Sequence, residues 1–187
     1  MRGFCQEFPG IYVPQGKTLT IKGDGSLSAS SNGYGAGIGS GYKLACGNIV
    51  ISGGTISATG GDEAAGIGSG HANSCGNITI NGGTVTASGG SGATGIGSGY
   101  SKSSCGDITI KGGTINATGG LSAAGIGAGM ASSCGNITIT NTVTSVTATK
   151  GKSAPHSIGK SVQGTIGTVT IGGNVGAISQ SPYTYKP

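Results

Sequence analysis

The sequence predicts an all-β fold: a parallel β-solenoid, read as a three-sided, right-handed β-helix of about six coils of 29–32 residues. Three observations carry this. A glycine motif, Gly-Ile-Gly-Ser-Gly, stands at 37–41, 66–70 and 95–99. Ala128 replaces its serine at 125–129, and a shorter echo stands at Ser157-Ile158-Gly159-Lys160. Its isoleucines Ile38, Ile67, Ile96, Ile126 and Ile158 step by 29, 29, 30 and 32 residues, a period that belongs to solenoids and arrays. Between the motifs, apolar residues alternate with Thr, Ser or Asn, the period of two that marks a half-buried strand.

Each coil contains three marks in a fixed order. The A segments are Leu19/Ile21, Ile49/Ile51, Ile78/Ile80, Ile108/Ile110, Ile137/Ile139 and Val169/Ile171. The B segments are Leu27/Ala29, Ile56/Ala58, Val85/Ala87, Ile115/Ala117, Val146/Ala148 and Val175/Ala177. The C segments are the five glycine motifs, with Ile11 standing for a sixth. Gly-Gly pairs such as Gly82-Gly83 separate A from B, and pairs such as Gly89-Gly90 separate B from C. Both suit corners, because glycine reaches positive φ without penalty. A propeller blade needs ~40–45 residues, so this period is too short for one. Right-handed winding follows from the usual hand of parallel crossovers. Rungs ~4.8 Å apart give a rod roughly 29 Å tall.

The chain is one domain over 1–187: a cap or partial coil at 1–16, repeat coils over 17–178, and a cap or exit strand at 179–187. Phe4, Phe8 and Pro9 are expected to cover the first coil. The last segment, with two prolines and two tyrosines, breaks the repeat. Alanine on face B beside glycine on face C implies a thin core, and one coil alone cannot bury its apolar face. With 43 glycines the chain could be taken for a disordered one, but charged residues are only 8% and Ile and Val keep register, which is the reverse of a disordered composition.

Composition excludes several functions. Net charge is +5, but the basic residues are scattered and none interleave with aromatics, which argues against nucleic acid. No apolar run approaches membrane-spanning length. The first eight residues carry no apolar stretch and do not form a signal peptide, so either the protein stays inside the cell or, as a start partway through a repeat favours, the chain is cut from a longer one. The acids Glu7, Asp24, Asp62, Glu63 and Asp107 include only one neighbouring pair, so paired-carboxylate chemistry is not expected. No nucleophile–base set is evident, and the glycine motifs lack the Gly-Lys-Ser/Thr of a phosphate loop. Neither an enzyme nor a cofactor is expected.

Four columns remain as candidates. Cys46, Cys75, Cys105 and Cys134 occupy one slot per coil. Stacking places their Cα atoms ~5 Å apart, within disulfide range, so neighbours can pair. The favoured structural role is a buried ladder of free thiols, since cysteine is among the most buried residue types. No Cys-x-x-Cys accompanies them, so no metal site is expected. Cys5 has no partner slot. Asn48, Asn77, Asp107 and Asn136 follow two residues after each cysteine and are expected to hydrogen-bond along the stack. Just past the glycine motif stand Tyr42, His71, Tyr100 and Met130, a variable column among constant neighbours and the candidate ligand-binding surface. Face B offers an outward hydroxyl grid: Thr55, Ser57, Thr59, Thr84, Thr86, Thr114, Asn116, Thr118, Thr147 and Thr149. Threonine's β-propensity alone accounts for such a grid, yet ice-binding solenoids present similar ones.

The unit Cys-Gly-Asn-Ile-Thr-Ile-x-Gly-Gly-Thr-Val-Thr-Ala, followed by Ala-Gly-Ile-Gly-Ser-Gly, resembles a glycine-rich repeat of bacterial secreted and surface proteins. The resemblance covers nearly the whole chain. It implies an extracellular or cell-surface setting and adhesion, and it carries over no catalytic residues. The resulting expectation is a non-enzymatic module for adhesion or ligand display, with glycan as partner. An ice-binding solenoid and a purely structural stalk are the alternatives.

Overall fold

The structure is a computed structural model and describes residues 8–187; the readings placed on Phe4 and Cys5 lie outside these residues. It is a parallel β-solenoid of about five turns. The A wall stacks Thr18–Ile21, Asn48–Ile51, Ile78–Ile80, Ile108–Ile110, Ile137–Ile139 and Val169–Ile171 in parallel. The B wall stacks Ser26–Ser30, Thr55–Thr59, Thr84–Ser88, Thr114–Thr118 and Ser145–Thr149. The C wall runs from Ile11–Tyr12 through Ile38–Gly39, Ile67–Gly68, Ile96–Gly97 and Ile126–Ala128 to Ile158–Lys160. The registers follow the repeat: Ile49 pairs with Ile78, Ile108 with Ile137, Val85 with Ile56 and Ile115, and Ile96 with Ile67 and Ile126.

Two parts of the expected architecture need correction. The section is not simply three-sided. A fourth, short ladder of Ser74–Cys75, Ser104–Cys105, Ser133–Cys134 and Thr165–Ile166 joins C back to A. We call it the D ladder. Nor, among the described residues, does a sixth B strand form. Val175 and Ala177 were expected to start it, but Asn174–Val175 turns back antiparallel on the last A strand, and Val175 is 74% exposed. The cause is a corner one residue short. Ser52, Asn81 and Lys111 precede the Gly-Gly pairs of earlier coils, whereas Ile171 abuts Gly172 directly. Gly172 (φ 57°) and Gly173 (φ 86°) are both left-handed, as a two-residue hairpin turn requires. The free edge of the last B strand is taken instead by Tyr183–Tyr185, also antiparallel.

The core is a set of vertical aliphatic columns. Ile49, Ile78, Ile108 and Ile137 have no exposed surface, nor do Ile38, Ile67, Ile96, Ile126 and Ile158. Burial of each such side chain contributes about 1.5–3 kcal/mol. The second glycine of the C motif lets successive coils stack closely along this wall. Gly97 has φ 134°, and a Cβ there would overlap the carbonyl oxygen of Gly127 in the next coil. The serine of the motif points inward as an acceptor. The N–H groups of Gly70, Gly99 and Gly129 donate to Ser40 Oγ (2.7 Å), Ser69 Oγ (3.0 Å) and Ser98 Oγ (2.9 Å) one coil below. Satisfying buried N–H groups in this way lets a wall only two or three residues long persist.

The Asn column works by a related device. The backbone N–H groups of Asn77, Asp107, Asn136 and Thr168 donate to the Oδ1 atoms of Asn48, Asn77, Asp107 and Asn136, at 2.7–2.9 Å. Only the acceptor oxygen is used, so Asp107 fits a column of asparagines. The glycine before each member leaves room for the side chain beneath: a Cβ on Gly76 would stand 2.5 Å from Asn48 Oδ1.

At the amino-terminal end Phe8 is 61% exposed, so it does not cover the first coil as expected. The Phe8 backbone docks instead, its carbonyl accepting from Ser31 Oγ at 2.9 Å.

Candidate functional site

The corner after each C strand turns through a residue with left-handed backbone: Lys43, Ala72, Ser101 and Ala131, with φ of 51–56°. Gln163 repeats this in the last coil. Non-glycine residues adopt this conformation at a cost of roughly 1–2 kcal/mol each. Here it recurs at one height in every coil, immediately after Tyr42, His71, Tyr100 and Met130. Backbone bonds hold the column in place. His71 N–H donates to Tyr34 O (3.0 Å), Tyr100 N–H to Glu63 O (2.9 Å) and Met130 N–H to Gly92 O (2.8 Å). Each bond ties the column to the B–C corner one coil below.

Tyr42, His71 and Tyr100 are thereby brought together. Ring centroids lie 5.6 Å apart for Tyr42–His71 and 5.7 Å for His71–Tyr100, within the range of favourable aromatic contact. Met130 is the next member up the column, half-buried, and brings no ring. The sequence reading missed Tyr34, which stands on the B–C corner 5.7 Å from Tyr42 and 5.3 Å from His71. It belongs to a second variable column, Tyr34, Glu63, Gly92 and Ser122, which the hydrogen bonds above place beside the first. Gly92 contributes space: a Cβ there would stand 2.8 Å from the Tyr100 ring.

Charge gathers at the same corner. His71 Nδ1 lies 2.8 Å from Glu63 Oε2, and the Lys43 ammonium sits 4.9 Å from the Tyr42 ring centroid. Nδ1 and Oε2 are within ion-pair distance without meeting hydrogen-bond geometry. Charge therefore links them when the imidazole is protonated, and partial exposure keeps that link weak. The rings are tilted by 41–49° to one another, so they pack as a cluster and not as parallel plates. Tyr34 remains 37% exposed. Beside it a shallow recess is lined by Ser31, Asn32, Gly61, Asp62, Gly90 and Ser91. The arrangement offers apolar ring surface, one carboxylate and one ammonium to a ligand lying across the corner.

The hydroxyl grid occupies the outer side of the B wall. Its registers give three columns: Ser26–Thr55–Thr84–Thr114–Ser145, Ser28–Ser57–Thr86–Asn116–Thr147 and Ser30–Thr59–Ser88–Thr118–Thr149. The exit strand borders it at the last rung, where Thr147 Oγ1 and Thr184 Oγ1 are 3.1 Å apart. The cysteine column lies on the D ladder, inside the wall. Contrary to the expectation of four free thiols, Cys46 and Cys75 are joined by a disulfide. Cys105 and Cys134 are free and buried. Stacking brings neighbouring cysteines within bonding reach. Among the described residues no three His, Cys, Asp or Glu side chains converge as metal ligands, and no helix is long and apolar enough to cross a membrane.

Comparison with curated proteins and with solved structures gives no match. A family model described as a beta helix repeat matches four successive stretches, 19–42, 49–71, 78–100 and 108–130. Each stretch begins at an A segment and ends on a member of the aromatic column, at Tyr42, His71, Tyr100 or Met130. With the repeat matched coil by coil, and every strand of those coils in the register that the repeat dictates, the chain is a β-solenoid repeat protein.

Proposed function

We propose that this β-helix repeat module is a non-enzymatic part of a secreted or cell-surface protein, and that it binds glycan at the aromatic corner. The observation that carries the reading is the chain of rings Tyr34, Tyr42, His71 and Tyr100, linked at 5.3–5.7 Å across three coils with Glu63 and Lys43 beside it. Sugar rings present C–H faces that pack on aromatic surface and hydroxyls that donate to a carboxylate. The rigid coil pre-organises these groups, which lowers the entropic cost of binding. On a glycan array the intact chain should show a defined set of positives. Tyr42→Ala combined with Tyr100→Ala should weaken them at least about tenfold, equivalent to roughly 1.4 kcal/mol. A blank array, or binding unchanged in the double variant, removes the glycan claim and leaves a structural stalk.

A second reading rests on a different surface. The three registered columns, hydroxyl-bearing except at Asn116, form a lattice with rungs ~4.8 Å apart, a form suited to ordering water. An ice-binding module should show thermal hysteresis that Thr86→Tyr abolishes, since one large side chain at the centre breaks the lattice. Ice growth unaffected by the unaltered chain ends this reading.

A further inference from the structure

The D ladder has a parity that bears on its chemistry. Reading up the column, Pro14 bridges to Cys46, Cys75 pairs in register with Cys105, Cys105 with Cys134, and Cys134 with Ile166. Four cysteines therefore stand in one line, closed below by Pro14 and above by Ile166. The lower two are joined, with their Cα atoms 4.5 Å apart. That leaves Cys134 as the one cysteine beside Cys105 that still carries a thiol. The free sulfurs also sit where the bonded one does. Cys75 Sγ lies 3.6 Å from Gly47 O in the coil below, Cys105 Sγ 3.7 Å from Gly76 O, and Cys134 Sγ 3.6 Å from Gly106 O. Cys75, Cys105 and Cys134 thus share one register, while Cys46, just below the ladder, bridges Pro14 and has its Sγ 3.9 Å from Gly68 O.

We propose that Cys105 and Cys134 form a second disulfide, so that the column is stapled two coils at a time. The electrons go to an external disulfide, either a small molecule such as oxidised glutathione or the disulfide of a thiol oxidoreductase. One thiol gives up its proton and attacks a sulfur of that disulfide, releasing one thiolate and forming a mixed disulfide. The second, as thiolate, attacks the protein sulfur of the mixed disulfide. The Cys105–Cys134 bond forms, and the second oxidant thiolate leaves. Two electrons and two protons depart in all, and thiolates are the reacting species. In the wound coil this step is slow near neutral pH. The hydrogen bond with Cys134, burial and the nearby Asp107 hold the Cys105 thiol well above its ordinary pKa. At 6% exposure each, neither sulfur meets an oxidant easily. Oxidation therefore belongs to the chain as it winds, or to alkaline pH.

The test uses the full chain carrying Cys5→Ser, so that only the column is counted. It is refolded with and without oxidised glutathione at mildly alkaline pH, quenched in acid, unfolded and alkylated with N-ethylmaleimide. Intact mass should show two adducts without oxidant and none with it. Trypsin then locates the bond. Lys43, Lys102, Lys111 and Lys150 place Cys46 and Cys75 in one peptide, 44–102, Cys105 in 103–111 and Cys134 in 112–150. The proposal predicts 103–111 linked to 112–150. A link from 44–102 to 103–111 would mean that Cys105 exchanges with the existing bond, and it overturns the pairwise assignment. Two adducts persisting in the oxidised sample overturn it as well. The Cys134→Ser chain should retain its Cys105 thiol or carry glutathione there, with no cross-linked peptide; a cross-link in that chain also counts against the proposal.

Discussion

Gly97→Ala is expected to destabilise the protein by at least about 3 kcal/mol, and in a marginally stable coil to abolish cooperative folding. Two independent costs meet at this atom. The backbone has φ 134°, a conformation that side-chain-bearing residues rarely adopt, and the new methyl would run into the carbonyl oxygen of Gly127. Relief would require the next coil to move away. Its N–H bonds to the coil beneath hold it in place, including Gly129 N–H to Ser98 Oγ at 2.9 Å. Gly25→Ala is the matched control. Nothing lies within 4 Å of a Cβ there and its φ is not positive, so the change should be neutral or stabilising by up to about 1 kcal/mol. Urea unfolding of both variants measures the difference. Equal midpoints would refute the idea that close approach of the C wall sets the coil spacing.

Removal of residues 179–187 is expected to turn the protein into a self-associating one. The exit strand Tyr183–Tyr185 covers the edge of the last B strand, pairing Val146 with Tyr185 and Ala148 with Tyr183. Both tyrosines pack on the core cluster, and Tyr185 donates its hydroxyl proton to Asn141 Oδ1 at 2.7 Å. The segment also ties down the last B–C corner, where Lys150 N–H donates to Ser181 Oγ at 3.1 Å. Cutting it bares a five-residue parallel edge with free N–H and C=O groups, a template for another copy. Light scattering should report dimers or larger species at concentrations where the full chain is monodisperse. A monodisperse truncated chain would show that the edge is harmless without its cover.

What the sequence made legible was whatever repeats. Ile49, Ile78, Ile108 and Ile137 stack as their spacing requires, because a period-two strand inside a constant coil leaves one register that buries them all. The variable column past the glycine motif was legible for the same reason, and it locates three of the four clustered rings. Tyr34 was not, because a tyrosine that occurs once on a corner has no periodic neighbour to mark it; aligning the corners shows Glu63, Gly92 and Ser122 in its place. The hairpin at Gly172-Gly173 hid behind its likeness to the other Gly-Gly corners. The missing residue before it decided the outcome, by changing a turn with one left-handed glycine into one with two. The Cys46–Cys75 bond was illegible in principle: a line of four equivalent cysteines allows several neighbour pairings, and spacing does not choose among them.

Because every coil touches only the ones above and below it, the number of coils is a free variable of the design. The aromatic corner draws on the coils that carry Tyr34, Glu63 and Tyr100, while the exit strand rests on the later one that carries Val146. Coils inserted between them would act as spacers, each carrying the corner about 4.8 Å further from the strand Tyr183–Tyr185, with neither end redesigned. The length of the rod and the make-up of the aromatic corner are thus set by separate stretches of sequence, and duplication can lengthen one without altering the other.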